Sequence, residues 1–277
     1  MKRTILYTVL ILLAVVLLLP LYWTLIGSFL SQEEFAFHYG SVSRSPAWFS
    51  PRPSLEQYAQ LLRPEDWKYT GFLRSFSVSL LSALAMTALH LLTVPVLGFY
   101  LAKQNNRFTR VLFFFVILTM LAPLQITMTP TLILAKQLKI DNSWWAILLP
   151  SAVLPFGIFL TRQFMRSLPD EILDAARLDT DSVFSVLCYL VIPFSIPALC
   201  TLLMLCFSEC YGMIEQPLIL LDPVKSIMPL SVEMNSIYRL FPNVIFAASV
   251  LFVSPCLLLY LLVRKPMVKT MNELTLL

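Results

Sequence analysis

Six stretches without a single Asp, Glu, Lys or Arg dominate the sequence: residues 4–32, 75–102, 111–135, 142–161, 182–208 and 240–263. Each reaches or exceeds the roughly 20 residues that a helix needs to cross a bilayer core of about 30 Å. Hydrocarbon offers the backbone no hydrogen-bond partners, so a spanning chain is restricted to helices or a closed barrel. A barrel strand alternates apolar and polar residues over about 10 positions, whereas 111–135 is apolar almost throughout. The runs therefore predict an all-α transmembrane fold of six helices, at approximately 4–30, 74–102, 110–135, 143–166, 183–209 and 241–263. Composition agrees. Charged residues make up 13% of the chain, where a soluble domain carries about a quarter, and the mean hydropathy is +0.78. No repeat, low-complexity tract or Gly/Ser linker divides the sequence, so residues 1–277 read as a single domain.

Lys2 and Arg3 precede the first run, but that run is longer than the usual signal-peptide core and lacks a small-x-small cleavage site, so it is expected to persist as a helix. Pro95, Pro123, Pro193, Pro197 and Pro255 lie in or beside the runs. Such breaks are tolerated where neighbouring helices or cavity water satisfy the freed carbonyls; they point either to an interior path or simply to the higher proline content of membrane helices. The cysteines Cys188, Cys200, Cys206, Cys210 and Cys256 form no CxxC pair and read as buried thiols. His38 and His90 are too far apart in sequence to suggest a metal site.

An even number of spans puts both termini on one side. Lys and Arg crowd short segments at helix ends on that side: Lys2 and Arg3, then Lys103, Arg107 and Arg110, then Arg162, Arg166 and Arg177, then Arg264, Lys265 and Lys269. On the other side Arg44, Arg52, Arg63, Lys68, Arg74, Lys136, Lys139, Lys225 and Arg239 are spread over two long loops and one short turn. Density under the positive-inside rule places both termini in the cytoplasm. The outer loop 33–74 carries Trp48, Phe49 and Trp67 among Pro46, Pro51 and Pro53, as interfacial anchors or as a docking surface for an external partner.

The polar stretch between the fourth and fifth runs, SLPDEILDAARLDTDSVFSVLCYLVIP from Ser167 to Pro193, is the most specific segment. Ser167 and Asp170 fit an S-x-x-D helix start with Pro169 in the first turn. Ile172, Leu173, Ala176 and Leu178 recur at helical spacing, and Asp174 and Arg177 stand three apart on the opposite face, where an ion pair adds modest support. Asp179, Thr180 and Asp181 break the pattern, and Thr180 or Asp181 is positioned to cap a second helix. The residues predict a short amphipathic helix, a turn and a re-entry into the membrane. Taken alone, this also fits an ordinary interfacial connector.

The stretch resembles the EAA loop of binding-protein-dependent ABC importer permeases, of type E-A-A-x-x-D-G followed some residues later by Pro. Its counterparts here are Asp174, Ala175, Ala176, Asp179 and Thr180, with Pro193 at the family's distance. Phe159, Arg162, Gln163, Phe164 and Ser167-Leu168-Pro169 resemble the FLxRQFxxSIP run of the carbohydrate-type permeases, in particular the smaller, maltose-type member of the heterodimer. Residues 51–58 (PRPSLEQY), Pro123-Leu124-Gln125 with Pro130, and Phe207 with Gln216-Pro217-Leu218 are similar to further motifs in the same order. The sequence departs from the pattern at Asp174 for Glu, Thr180 for Gly, Tyr211-Gly212 for Trp-Asn, and in a tail without the Gly/Ala-rich ending. Gly at 180 would supply a positive φ that a β-branched Thr resists, so the turn is expected to close through an N-cap instead.

The resemblance implies a six-helix ABC importer permease in a bacterial inner (plasma) membrane, with a cytoplasmic coupling helix between helices 4 and 5 in the loop 167–182. Glu171, Asp174, Ala175, Ala176, Asp179 and Thr180 would couple it to an ATPase dimer. No G-x-x-x-x-G-K-[ST] loop is present, so ATP and Mg would be bound by those ATPase subunits and this chain would carry no cofactor. The other implied partners are a second permease and an extracellular or periplasmic solute-binding protein, with sugars or oligosaccharides as cargo and no nucleic acid. Gln125, Glu209 and Glu215 are candidates for the substrate path, with His90 in the second span, because polar and ionisable groups inside a membrane are costly. The carboxylates equally fit an outer loop in water, and Gln125 an interhelical hydrogen bond. No nucleophile–base or metal constellation suggests an enzyme. A secondary transporter would carry mid-span charges and internal repeats, which the runs lack; a membrane assembly protein would leave the ordered motifs unexplained.

Overall fold

The structure is a computed structural model that describes residues 2–40, 47–62, 71–180, 182–222 and 228–274, with side chains from residue 3 to 266. Arg44, Pro46, Arg63, Trp67, Lys68, Asp181 and Lys225, singled out above, lie outside the described residues. Among the described residues every regular element is helical. The chain divides into two compact units, one of residues 1–77 and 232–255, the other of residues 78–231 and 256–277.

In the first unit, α1 (Lys2–Gly27) exposes its side chains along almost its whole length, as a lipid-facing helix must. Its end is anchored by polar contacts. Gln57 Nε2 on α3 (Glu56–Leu62) donates to the carbonyls of Gly27 and Leu30 at 2.7 and 3.0 Å, and Tyr58 donates its hydroxyl proton to Ser28 Oγ. A Cβ at Gly27 would lie 2.7 Å from the Phe246 ring, so only glycine lets that aromatic close on the helix end. The loop expected over 33–74 contains a second helix, α2 (Gln32–Tyr39), started by a capping box between Ser31 and Glu34. Trp48 and Phe49 are exposed, and Trp23 packs edge-on against Trp48.

The second unit holds the regions of functional interest. Its first long helix, α4 (Phe72–Lys103), stays continuous through Pro95. Beyond it the expected spans are interrupted. Helices α5 (Arg107–Leu121) and α6 (Leu124–Gln137) meet at 104°, where Pro123 cannot continue the α5 ladder. The fourth run is divided into α7 (Trp145–Leu148), a 3₁₀ turn Pro150–Ala152 and α8 (Pro155–Arg166), each restart falling on a proline. After α9 (Asp170–Asp179), α10 (Val183–Val186) and a π turn Leu187–Val191 lead to α11 (Ile192–Phe194); this segment, Val183–Phe194, meets α12 (Ile196–Tyr211) at 82°, between Pro193 and Pro197. The remaining helix of this unit is α13 (Glu215–Leu220); α14 (Leu230–Leu240) and α15 (Ile245–Leu274) are shared between the units, residues 232–255 falling in the first.

Among the described residues three continuous helices are therefore long and apolar enough to cross a membrane, and five segments are when each bent pair counts as one. The one expected span left over, the fourth at 143–166, is the proline-divided one. Charge-free length was the sequence criterion, and it is blind to where proline removes a donor. The core of the unit is nonetheless tight. Val94, Leu101, Ile158, Leu202 and Cys206 form one buried cluster, and a Cβ at Gly98 would meet Thr161 at 2.9 Å and the Arg162 backbone nitrogen at 3.2 Å. Glycine there is what allows α4 and α8 to pack backbone against side chain.

Candidate functional site

The expected amphipathic helix forms as α9, and its placement follows from one apolar face. Leu173 is buried and Ala176 half-buried against a cluster of Met165, Leu168, Val186, Leu187 and Val191. Glu171, Asp174, Ala175 and Asp179 are exposed, and so are Ile172 and Leu178, which the apolar pattern assigned to the buried face. The free face is a row of carboxylates interrupted by a small residue and an exposed leucine, because only Leu173 and Ala176 point at the cluster. Arg177 Nη1 donates to Asp174 Oδ1 at 3.0 Å, with both side chains well exposed, so this pair adds little stability.

The S-x-x-D start is corrected by the structure. Pro169 is the N-cap, with no side-chain cap, and Ser167 donates its hydroxyl proton to the Phe164 carbonyl. What fixes the start of α9 is Lys103, the last residue of α4, whose Nζ donates to the Leu168 carbonyl at 2.6 Å and to Asp170 Oδ1 at 2.8 Å. The hydrogen bond and charge of Lys103 hold the Asp170 carboxyl below the usual carboxylate range. In sequence Lys103 is visible only as the charge that ends a run; nothing local identifies a partner 67 residues away. The turn after α9 closes as expected through an N-cap, but Ser182 supplies it, accepting from Ser185 N–H. Thr180 is extended (φ −157°, ψ 137°), a region open to any residue, and its Oγ1 accepts from Ser182 N–H. No positive φ is required where the family pattern has Gly.

The other site lies where the helices break. A cavity of about 810 Å³ opens between the α5–α6 bend, the divided fourth segment and the end of α12. Glu209 and Glu215 line it; Gln125 does not, but its Nε2 donates to both Glu215 oxygens at 3.2 Å. The three path candidates are thus brought together, with Gln125 orienting a carboxylate. His90 and Thr93 of α4 account for the broken fourth segment: His90 Nε2 bonds the Ser151 carbonyl, and Thr93 Oγ1 donates to the Ala152 carbonyl at 2.9 Å. The helix interrupted by Pro150 and Pro155 would otherwise leave those acceptors unpaired at membrane depth, which is costly. His90 is almost fully buried, lines the cavity, and its Nδ1 has no partner among the described residues. Aliphatic residues, prolines, four methionines, three threonines and Phe156 supply most of the remaining wall, and no Lys or Arg is among the lining residues. The cavity is an apolar, polarisable container with two carboxylates and a free imidazole nitrogen. It can accept hydrogen bonds from hydroxyl groups.

Residues 95–268 match the sequence profile of the family described as binding-protein-dependent transport system inner membrane component. The arabinooligosaccharides transport system permease protein AraQ of Bacillus subtilis is 26% identical over 197 residues, covering 70% of this chain and 70% of that protein. The sn-glycerol-3-phosphate transport system permease protein UgpE of Escherichia coli O1:K1 / APEC is 28% identical over 221 residues, 79% of this chain and 76% of that protein. A chain in the crystal structure of a bacterial ABC transporter involved in the import of the acidic polysaccharide alginate superposes with a TM-score of 0.78, at 21% identity and 95% coverage of both chains. That likeness establishes the fold.

Proposed function

Because this chain is a multi-pass inner membrane protein of the family of binding-protein-dependent transport system inner membrane components, we propose that it is one of two permease subunits of an ATP-driven importer for neutral sugars or oligosaccharides. A single helix carries most of this reading. At one end α4 holds α9 through Lys103; toward its middle it lines the cavity through Met86 and His90, and His90 and Thr93 hold the broken segment that forms another part of the wall. A push on α9 therefore has a rigid route to the cavity wall.

In this mechanism α9 is the coupling helix. Its exposed face of Glu171, Asp174 and Asp179 docks in a groove of the ATPase dimer, Ala175 lets the surfaces approach, and Ala176 and Leu173 hold the helix to its own subunit. Thr180 ends the helix and hands motion to α10. ATP and Mg²⁺ sit on the ATPase, whose closure rocks the packed helices as a body and exposes the cavity alternately to the two sides. A solute-binding protein delivers the ligand from outside, and the second permease completes the path. The fourth run crosses as a broken span, giving six crossings with both termini and α9 in the cytoplasm, in agreement with the density of Lys and Arg.

The choice of a neutral ligand rests on the cavity. Relatives are named for arabinooligosaccharides and for sn-glycerol-3-phosphate, but Glu209 and Glu215, with no cation beside them among the described lining residues, would repel a phosphate or uronate. Carboxylates accept from sugar hydroxyls, and Phe156 offers an apolar face. The decisive experiment is uptake and ATP hydrolysis by the complete complex in proteoliposomes. Asp174→Arg and Asp179→Arg should each lower uptake per ATP by at least about tenfold, since like-charge juxtaposition at an interface costs several kcal/mol. Unchanged coupling in both variants would remove the role of α9. Preference for an acidic over a neutral oligosaccharide of equal length would remove the cargo assignment alone.

A further inference from the structure

Near the Lys103–Asp170 tie lies a second, smaller cavity of about 300 Å³, between the end of α4, the start of α5 and the end of α8. Its cations are Lys103, Arg110, Arg162 and Arg166, and its lining carboxylate is Asp170, already engaged by Lys103. Arg162 donates Nε–H to the Leu101 carbonyl at 3.0 Å and lies 3.7 Å over the Phe113 ring, leaving its outer N–H groups for another acceptor. Arg110 and Arg166 have no carboxylate partner among the described residues. Arg162 and Arg166 stand four apart on α8, where like charges repel. The first turn of α5, a 15-residue helix capped by Asn106, adds the positive end of its dipole.

A concave site with three guanidinium groups and no uncommitted carboxylate is matched to a phosphate, which arginine binds through its planar fork. The neighbouring surface identifies the carrier of that phosphate. From Arg110 onward the chain enters a charge-free run, and Phe108, Val111, Phe115 and Leu118 are exposed on α5 at near-helical spacing. A soluble phosphate would use the arginines and leave this stripe bare, whereas a phospholipid would use both, headgroup in the cavity and acyl chain along α5. The position, at the border between basic residues and an apolar span, is the depth of a headgroup, where juxtamembrane Lys and Arg attract anionic lipid.

We propose that this cavity binds the phosphodiester headgroup of an anionic phospholipid, clamped by Arg110, Arg162 and Arg166 with its acyl chain on the exposed face of α5. The test is native mass spectrometry of the complete, delipidated transporter complex titrated with phosphatidylglycerol, with phosphatidylcholine, or with inorganic phosphate. The wild type and the charge-preserving pair Arg110→Lys and Arg166→Lys should retain phosphatidylglycerol. The pair Arg110→Gln and Arg166→Gln should bind it about thirtyfold more weakly, and Arg110→Gln alone, available if the pair fails to assemble, about fivefold. Equal retention by the glutamine variants would overturn the site, and phosphatidylcholine bound as well as phosphatidylglycerol would overturn its headgroup selectivity. Inorganic phosphate displacing the lipid from the site would assign it to soluble phosphate instead.

Discussion

The two regions that α4 joins, the α9 end and the cavity, are built by opposite rules although Lys103 and His90 lie only roughly 20 Å apart along the helix. At the α9 end the ends of α4 and α8 and the whole of α9 are unbroken helix that starts and stops at identifiable residues, and charged side chains tie α4 to α9 through Lys103. At the cavity the helices themselves are broken, and uncharged or buried side chains repair the backbone, as His90 and Thr93 do for the carbonyls of Ser151 and Ala152. The first arrangement suits a lever that must move as one piece. The second suits a container whose wall is made of exposed ends and bends, where irregular backbone is allowed only because it faces a cavity.

The largest effect is expected from severing what the regions share. Gly98 is the close approach of α4 and α8, and a Cβ there meets Thr161 at 2.9 Å and backbone at 3.2 Å. Gly98→Ala should cost about 1–3 kcal/mol by overpacking and Gly98→Leu more, read as a fall in the thermal midpoint of the purified complex and loss of both ligand binding and coupling. Next, Leu173→Ala removes a buried anchor of α9 at a cost of about 3 kcal/mol. It should break the comparison on one side only. Amide exchange should rise across 170–179 and ligand-stimulated ATP hydrolysis should fall, while ligand binding stays intact. Loss of ligand binding in Leu173→Ala would show that the two regions are not separable.

The same contrast explains what was legible in the sequence. The apolar periodicity of Ile172, Leu173, Ala176 and Leu178, with Asp174 and Arg177 opposite, specifies α9 within a residue or two, because a local pattern makes a local element. Which of those apolar residues turn inward, Leu173 and Ala176 and not Ile172 or Leu178, depends on the cluster it meets. The charge-free runs specify apolar length, and three of them become continuous helices. They do not specify continuity: Pro95 leaves α4 unbroken while Pro123, Pro150, Pro155, Pro193 and Pro197 sit at bends or restarts. Whether a proline breaks a helix depends on whether another segment satisfies or exploits the freed carbonyl, and that is a tertiary fact. Gln125, Glu209 and Glu215 stand out by polarity in apolar surroundings, yet the cavity that Glu209 and Glu215 share, and the reach of Gln125 to Glu215 from behind it, depend on the α5–α6 bend. The roles of Lys103 as a tether and Ser182 as a cap are hidden in the sequence for a similar reason. A Lys at a helix end has many possible acceptors, and three successive polar residues at 180–182 each offer a cap.

Smaller effects sharpen each side. Lys103→Met removes the bond to the Leu168 carbonyl, a charged donor worth about 2 kcal/mol, and should loosen the start of α9 without altering ligand affinity. Because Lys103 lowers the Asp170 carboxyl in the folded protein, that part of the tie is complete above the ordinary carboxylate range and is lost as pH falls through the lowered value. Asp170→Asn should therefore flatten the acid side of the pH profile for amide protection at 170–174 and leave protection at neutral pH lower than in the wild type. On the cavity side, His90→Leu leaves the Ser151 carbonyl without its donor at a cost of about 1.5 kcal/mol. Ligand affinity should drop while basal ATP hydrolysis persists.

The smallest expected effect separates the turn from the helix it follows. Ser182 caps α10 by accepting from Ser185 N–H, and Thr180 accepts from Ser182 N–H, so the turn is held by side chains in place of a glycine. Ser182→Ala should cost about 1 kcal/mol. If α9 and α10 move as one lever, this loss falls on transmission: ATP hydrolysis is retained, uptake per ATP declines several-fold, and Ser182→Asp, which restores an N-cap acceptor, recovers it. Because Thr180 is already extended at φ −157°, Thr180→Gly gains no access to a needed conformation and only adds chain freedom. It should not rescue Ser182→Ala. Rescue by that glycine would mean that the turn adopts a left-handed geometry during the cycle, and that the lever has a hinge where the resting structure has a cap.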